Sequence, residues 1–174
     1  MRKNFFYTVM MMAVMAVVAT SLTACGGDDS DDPLNNTSQS GTGTTYKEPC
    51  LDWGCDASHI KAYMGSSMNL TQEESHGTAV LSYTTADYKY VINYLLAPTL
   101  VQVYVYHYDK GYDYFMKLIN QYETRYQAKF EKYESEQYEA YGANCTINGK
   151  YCGILMEYDA KTNTILVLFG LADK

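Results

Sequence analysis

Residues 101–108 read Val-Gln-Val-Tyr-Val-Tyr-His-Tyr, alternating valine with polar and aromatic side chains. A period of two belongs to an extended strand, whose successive side chains point to opposite faces, and it fits no helix. The stretch therefore has two surfaces. Val101, Val103 and Val105 share one, and Gln102, Tyr104, Tyr106 and Tyr108 share the other. Valines on one face need a covering layer, so this strand belongs in a sheet with something apolar packed against it.

Other runs of the same kind surround it. Residues 78–85, 88–96, 139–147, 150–158 and 164–171 are rich in Val, Ile, Leu and Tyr and are separated by breaks such as Ala97-Pro98-Thr99 and residues 159–163. Two stretches have helical spacing instead. In residues 56–65, Asp56 or Ser58 can cap the start, Ile60, Tyr63 and Met64 form a stripe, and Gly65 ends it. Residues 112–133 place Phe115, Leu118, Ile119, Tyr122, Tyr126 and Phe130 at steps of three and four. The expectation is an α+β domain: an antiparallel sheet of about six strands with two helices on one face, in a helix-three-strand order occurring twice.

Five cysteines constrain the fold further: Cys25, Cys50, Cys55, Cys145 and Cys152. Cys145 and Cys152 flank Asn148-Gly149, the strongest short signal for a two-residue hairpin turn. That register sets them opposite each other at a hydrogen-bonded pair, where Cα atoms are about 5.5 Å apart and within disulfide range. Cys50 and Cys55 would then close a small ring around Leu51, Asp52, Trp53 and Gly54. Crossed pairing would instead staple the N-terminal segment to the hairpin. Zinc on all four thiols is the third option, but C-x4-C and C-x6-C miss the tight spacing of structural zinc sites, which favour reducing compartments.

The N-terminus has its own grammar. Arg2 and Lys3 precede an apolar run over residues 5–19, too short for a comfortable bilayer span of about 20 residues. Charge, then an apolar run, then small residues is the order of a secretory signal peptide. Leu22-Thr23-Ala24-Cys25-Gly26 resembles the lipobox of bacterial lipoproteins, which implies cleavage before Cys25 and lipid on its thiol. Two or three acyl chains, at about 0.8 kcal/mol per buried CH₂, would anchor the protein to a membrane. The following Gly26-Gly27-Asp28-Asp29-Ser30-Asp31-Asp32 resembles the export signal that sends Bacteroidota lipoproteins to the outer face of the outer membrane. The expected organisation is a signal peptide over 1–24, a lipidated Cys25 with a flexible acidic tether over 25–45, and one folded domain over 46–174.

Trp53-Gly54, followed by Ile60-Lys61 and Tyr63-Met64, is similar to the opening W-G-x-S-x-x-x-V-K stretch of small α+β lipoprotein domains from Bacteroidota. Their helix-then-strands layout is in turn distantly similar to the repeats of β-lactamase-inhibitor-like proteins. The resemblance implies a fold and no activity.

Charge and motifs narrow the function. The chain carries a net charge of −7, and losing Arg2 and Lys3 with the signal peptide leaves −9. A nucleic-acid binder needs the opposite balance. No H-E-x-x-H motif, Gly-rich phosphate loop or helical carboxylate motif is present, so no cofactor and no metal are expected and catalysis has no motif behind it. His59 falls on the first helix, His76 follows Ser75 in a polar loop, and His107 lies in phase with the valines. Asp52, Asp87, Asp109 and Glu157 would serve a glycosidase only if two converged to within about 5–10 Å.

What stands out is 19 tyrosines. Tyrosine offers a broad ring and a hydroxyl at low entropic cost, a combination that binding surfaces favour. Tyr104, Tyr106 and Tyr108, joined by Tyr90 and also Tyr88 and Tyr94 from the preceding strand, are the candidate binding residues. The plainer alternative is cross-strand pairing that only stabilises the sheet. The expected function is a membrane-anchored, surface-exposed, non-catalytic module that binds glycan or protein. An inhibitor-like or assembly component, or a small hydrolase of envelope polymers, are the alternatives.

Overall fold

A computed structural model describes residues 47–75, 78–133 and 138–173. Residues 1–24, expected as a signal peptide, Cys25, the stretch to residue 45 expected as an acidic tether, and His76 lie outside the described residues.

The order is α1 (Ala57–Met64), β1 (Asn69–Ser75), β2 (Ala79–Thr84), β3 (Tyr90–Leu96), β4 (Leu100–His107), α2 (Tyr112–Tyr126), β5 (Glu131–Tyr133), β6 (Glu139–Ile147), β7 (Lys150–Asp159) and β8 (Thr164–Leu171). All eight strands form one antiparallel sheet in the order β1-β2-β3-β4-β8-β7-β6-β5. The expectation of about six strands in a helix-three-strand order is thereby corrected. A helix followed by four strands occurs twice, and β4 and β8 join the two halves.

The two additional strands are the edges. β1 replaces the polar loop expected before residue 78, and β5 replaces the end of the long helix. Residues Asn69–Glu73 and Glu131–Tyr133 are exposed, so these strands rest on backbone pairing with one neighbour and carry no buried apolar face.

Local chemistry sets both helices. Asp56 caps α1 by accepting a hydrogen bond from the His59 N–H at 2.8 Å, and Gly65 closes it at φ 54°. α2 buries Phe115, Leu118, Ile119 and Tyr122, then ends at Gln127, whose left-handed backbone (φ 48°) donates to the Glu123 carbonyl. Phe130, expected on that helix, instead reaches the core from the segment beyond it; its N–H donates to Glu123 Oε1 at 2.9 Å.

Both helices pack on one sheet face. Ile60 and Met64 of α1 and the buried residues of α2 form a single core with Ile92, Tyr94, Val103, Val105, Ile154, Met156, Ile165, Val167 and Phe169. Much of the tyrosine is spent here. Tyr94 is fully buried, Tyr158 stacks on Phe115 at 5.6 Å, and Tyr122 and Tyr126 meet Phe169 at 5.8 and 5.9 Å. Among the described residues no helix is long and apolar enough to cross a membrane.

Candidate functional site

The sheet's other face has no helix on it among the described residues. At its centre, β4 contributes Gln102, Tyr104 and Tyr106. Tyr104 sits between Asn93 of β3 and Leu168 of β8, and Tyr106 between Val91 and Leu166. One strand further, Leu168 and Leu166 pair with Leu155 and Glu157 of β7. Val91, Leu95, Tyr104, Tyr106, Leu155 and Leu166 are all partly exposed, and Tyr108, just past the strand, is 37% exposed. The result is an aliphatic and aromatic strip running across four strands.

The strip is shaped by its own contacts. Tyr104 Oη donates to Gln102 Oε1 at 2.8 Å, which fixes that ring along the strand. Tyr106 and Tyr108 lie nearly parallel, 6.0 Å apart at 6°. Burial raises the Tyr104 hydroxyl above its ordinary range. Burial, with Tyr108, Tyr104 and Glu157 adding to it, pushes Tyr106 up to about 12. Burial also raises the Glu157 carboxyl. Toward β5, Tyr133 lies over Gly142: a Cβ there would stand 2.6 Å from Tyr133 Cε2, so the glycine makes room for the ring.

Tyr104, Tyr106 and Tyr108 thus sit together as the alternation predicts, but Tyr90 does not join them. It is 4% exposed on the helix-covered face, its hydroxyl donates to the Lys47 carbonyl at 3.0 Å, and its ring lies 4.9 Å from His107. Tyr94 is on that face too, while Tyr88 is 66% exposed in the turn before β3 at φ 59°. The reason is one residue. Leu96 pairs with Leu100, which would put even-numbered residues of both strands on one face, but the register then shifts so that Leu95 pairs with Gln102. The extra residue, Val101, is a bulge that reverses the phase of β4 against β3, so Tyr90 stands opposite His107.

The cysteines converge elsewhere, at the loop entering α1. Cys50 N–H donates to the buried Tyr94 hydroxyl at 2.9 Å. Gly54 N–H donates to the Leu100 carbonyl at 3.4 Å, and Leu100 N–H returns a bond to the Cys55 carbonyl at 2.9 Å. Asn148, at the β6–β7 turn, donates through Nδ2 to the Leu51 carbonyl at 3.1 Å and to Asp52 Oδ1 at 3.0 Å. Asp52 Oδ2 in turn meets His59 Nε2 at 2.9 Å. This frame holds one ligand atom each from Cys50, Cys55 and His59 within 4.8 Å of one another. Burial, then the neighbouring Cys50, pushes the Cys55 thiol up to about 12, and burial also raises Cys50.

Cys145 and Cys152 face each other in register, with Asn148 and Gly149 at φ 48° and 77° supplying the turn. Burial, with Cys152 beside it, pushes Cys145 up to about 11. All four cysteines of the domain are thiols in the structure.

The four acids weighed for catalysis have local occupations. Asp52 holds His59 and Asn148, Asp87 accepts from Thr85 Oγ1 at 2.6 Å, Asp109 pairs with Lys89 at 3.4 Å, and Glu157 lies on the open strip. His107 is buried between Tyr90 and Tyr114. Sequence reasoning missed the grouping of His59 with the cysteines. Its only linear trace is the spacing C-x4-C-x3-H, which becomes meaningful once Gly54, at φ 86°, turns the loop back on itself. Comparison with protein-family models, curated proteins and solved structures gave no match for this chain.

Proposed function

We propose that this chain is a lipid-anchored bacterial surface lipoprotein whose open sheet face receives a partner protein. The lipobox-like Leu22–Gly26 segment and the acidic run after it support the anchor and its outward orientation. The observation that carries the binding role is the partly exposed strip of Tyr104, Tyr106, Tyr108, Val91, Leu95, Leu155 and Leu166. Aromatic and aliphatic side chains with few charges are the composition of an interface centre. A soluble domain otherwise gains little by leaving such a strip wet. Glycan is the second reading, favoured by the parallel rings of Tyr106 and Tyr108. It is the weaker one, because sugar hydroxyls need convergent hydrogen-bonding groups, and Asn93, Gln102, Glu157 and the tyrosine hydroxyls are spread over three strands of the strip.

The experiment uses the full chain in the cells that make it. Fatty-acid labelling that disappears in Cys25→Ser establishes the anchor. A photo-crosslinking residue at position 104 should then give a discrete protein adduct on intact cells, and one at Lys117 on α2 should not. Adducts at neither position would overturn the protein reading. Binding of the chain from Tyr46 onward to a glycan panel, lost in Tyr104→Ala/Tyr106→Ala with the circular dichroism unchanged, would replace it with the glycan reading.

A further inference from the structure

Cys50, Cys55 and His59 offer two sulfurs and a ring nitrogen within 4.8 Å of one another, on backbone that is fixed from several directions. Tyr94 holds the Cys50 amide, Leu100 holds both the Gly54 amide and the Cys55 carbonyl, and the Asp56 cap sets the first turn that delivers His59. We propose that these three residues bind a thiophilic divalent cation, Zn(II), in a three-ligand site with its fourth position open to solvent. The proposal is independent of the binding role given to the sheet face.

The donor set carries the argument. Two thiolates and an imidazole are a known zinc-binding combination, with bonds of about 2.3 Å to sulfur and about 2.0 Å to nitrogen. Tetrahedral donors at those lengths stand about 3.5–3.8 Å apart, so from a spread of 4.8 Å the cluster needs a contraction of about 1.3 Å at most. The burial gradient fits an open fourth position: Cys50 is buried, Cys55 is intermediate and His59 is exposed.

His59 also has the outer partner that metal-binding histidines use. Asp52 Oδ2 engages Nε2 at 2.9 Å, so a metal on this ring would take Nδ1, and Asn148 holds that carboxylate through its other oxygen. As each sulfur–zinc bond forms, its thiol releases one proton to solvent. Two thiolates then balance the dication, so the half-buried site ends neutral.

Among the described residues every core residue lies between Cys50 and Phe169, so the chain from Tyr46 onward carries all of them and omits Cys25. Reduced with a phosphine, it should take up one Co(II) per chain, with a near-ultraviolet thiolate-to-cobalt band and the visible bands of a tetrahedral site, and Zn(II) should displace the cobalt. Cys55→Ser and His59→Ala, both at positions outside the fully buried core, should each abolish or severely weaken uptake. Asp52→Asn should weaken it by about 10–100-fold, the usual cost of losing a carboxylate behind a ligating histidine. Cys145→Ser/Cys152→Ser should retain it. No thiolate band from the reduced chain, with its circular dichroism native, would overturn the proposal. So would uptake that survives Cys55→Ser, or uptake lost in Cys145→Ser/Cys152→Ser.

Discussion

His107 makes the domain acid-sensitive by an amount that can be worked out in advance. It sits on the covered face of β4, 3% exposed, with the Tyr90 and Tyr114 rings at 4.9 and 5.6 Å and Tyr114 Oη 3.2 Å from Nδ1. Burial, and after it the nearby Lys110 charge, lowers the imidazole from 6.5 to about 3. The folded chain therefore holds this ring neutral where the unfolded chain protonates it. The stability this contributes is complete above about pH 6.5 and is lost progressively as the pH falls toward about 3. Each pH unit in that window costs about 1.4 kcal/mol, which gives about 2 kcal/mol at about pH 5 and about 5 kcal/mol across the full window. The assay is urea unfolding of the wild-type chain and of His107→Phe, which keeps an aromatic ring but cannot titrate, at about pH 7.5 and about pH 5. All other titrating groups are common to both proteins, so the difference of differences isolates His107. The wild type should lose about 2 kcal/mol more than the variant between the two conditions. Equal losses would refute the reasoning.

Two further outcomes follow from single contacts. Tyr94→Phe keeps the ring, with its edge contact to Tyr83 at 6.0 Å, but removes the acceptor of the Cys50 amide; denaturant unfolding should show a loss of about 1–3 kcal/mol. Glu157→Gln should stabilise the chain near neutral pH. Burial raises the folded carboxyl above 4.5, so its favourable contribution is present below the unfolded pKa and is lost as the pH rises through the folded value. The advantage of the variant should therefore shrink below about pH 4.5, and an unchanged gap across that range would contradict the assignment.

What the sequence displays is governed by burial. The strands at 79–84, 90–96, 100–107, 139–147, 150–159 and 164–171 fall close to the expected runs, because a half-buried strand must alternate or stay apolar. Asn69–Ser75 and Glu131–Tyr133 have no such obligation. As edge strands they are held by the backbone of one neighbour, and their residues read as loop or as helix. The spacing of Tyr126 and Phe130, four apart, extends the helical pattern, yet both touch the core with the helix ended between them by a left-handed Gln127. The tyrosine strip was legible on β4, where alternation alone decides the face. It was not legible on β3, where a one-residue bulge at Val101 sets the phase and no residue type announces it. The meeting of Cys50, Cys55 and His59 depends on a turn geometry and on anchors from Tyr94, Leu100 and Asn148, all distant along the chain.

The strand order also imposes an order of events. Every neighbouring pair in the sheet is a local, hairpin-like connection except β4 with β8, which joins residues as far apart as Gln102 and Gly170. Contacts of short sequence separation form first, because closing a long loop costs entropy before any contact rewards it. Each half can therefore assemble its own four-strand meander early, and the β4–β8 ladder is the late closure. The tyrosine strip straddles that ladder, with Val91 and Asn93 on one bank and Leu166 and Leu168 on the other. The surface comes into being with the last step of folding, and any opening of the ladder would dismantle it while leaving both halves largely formed.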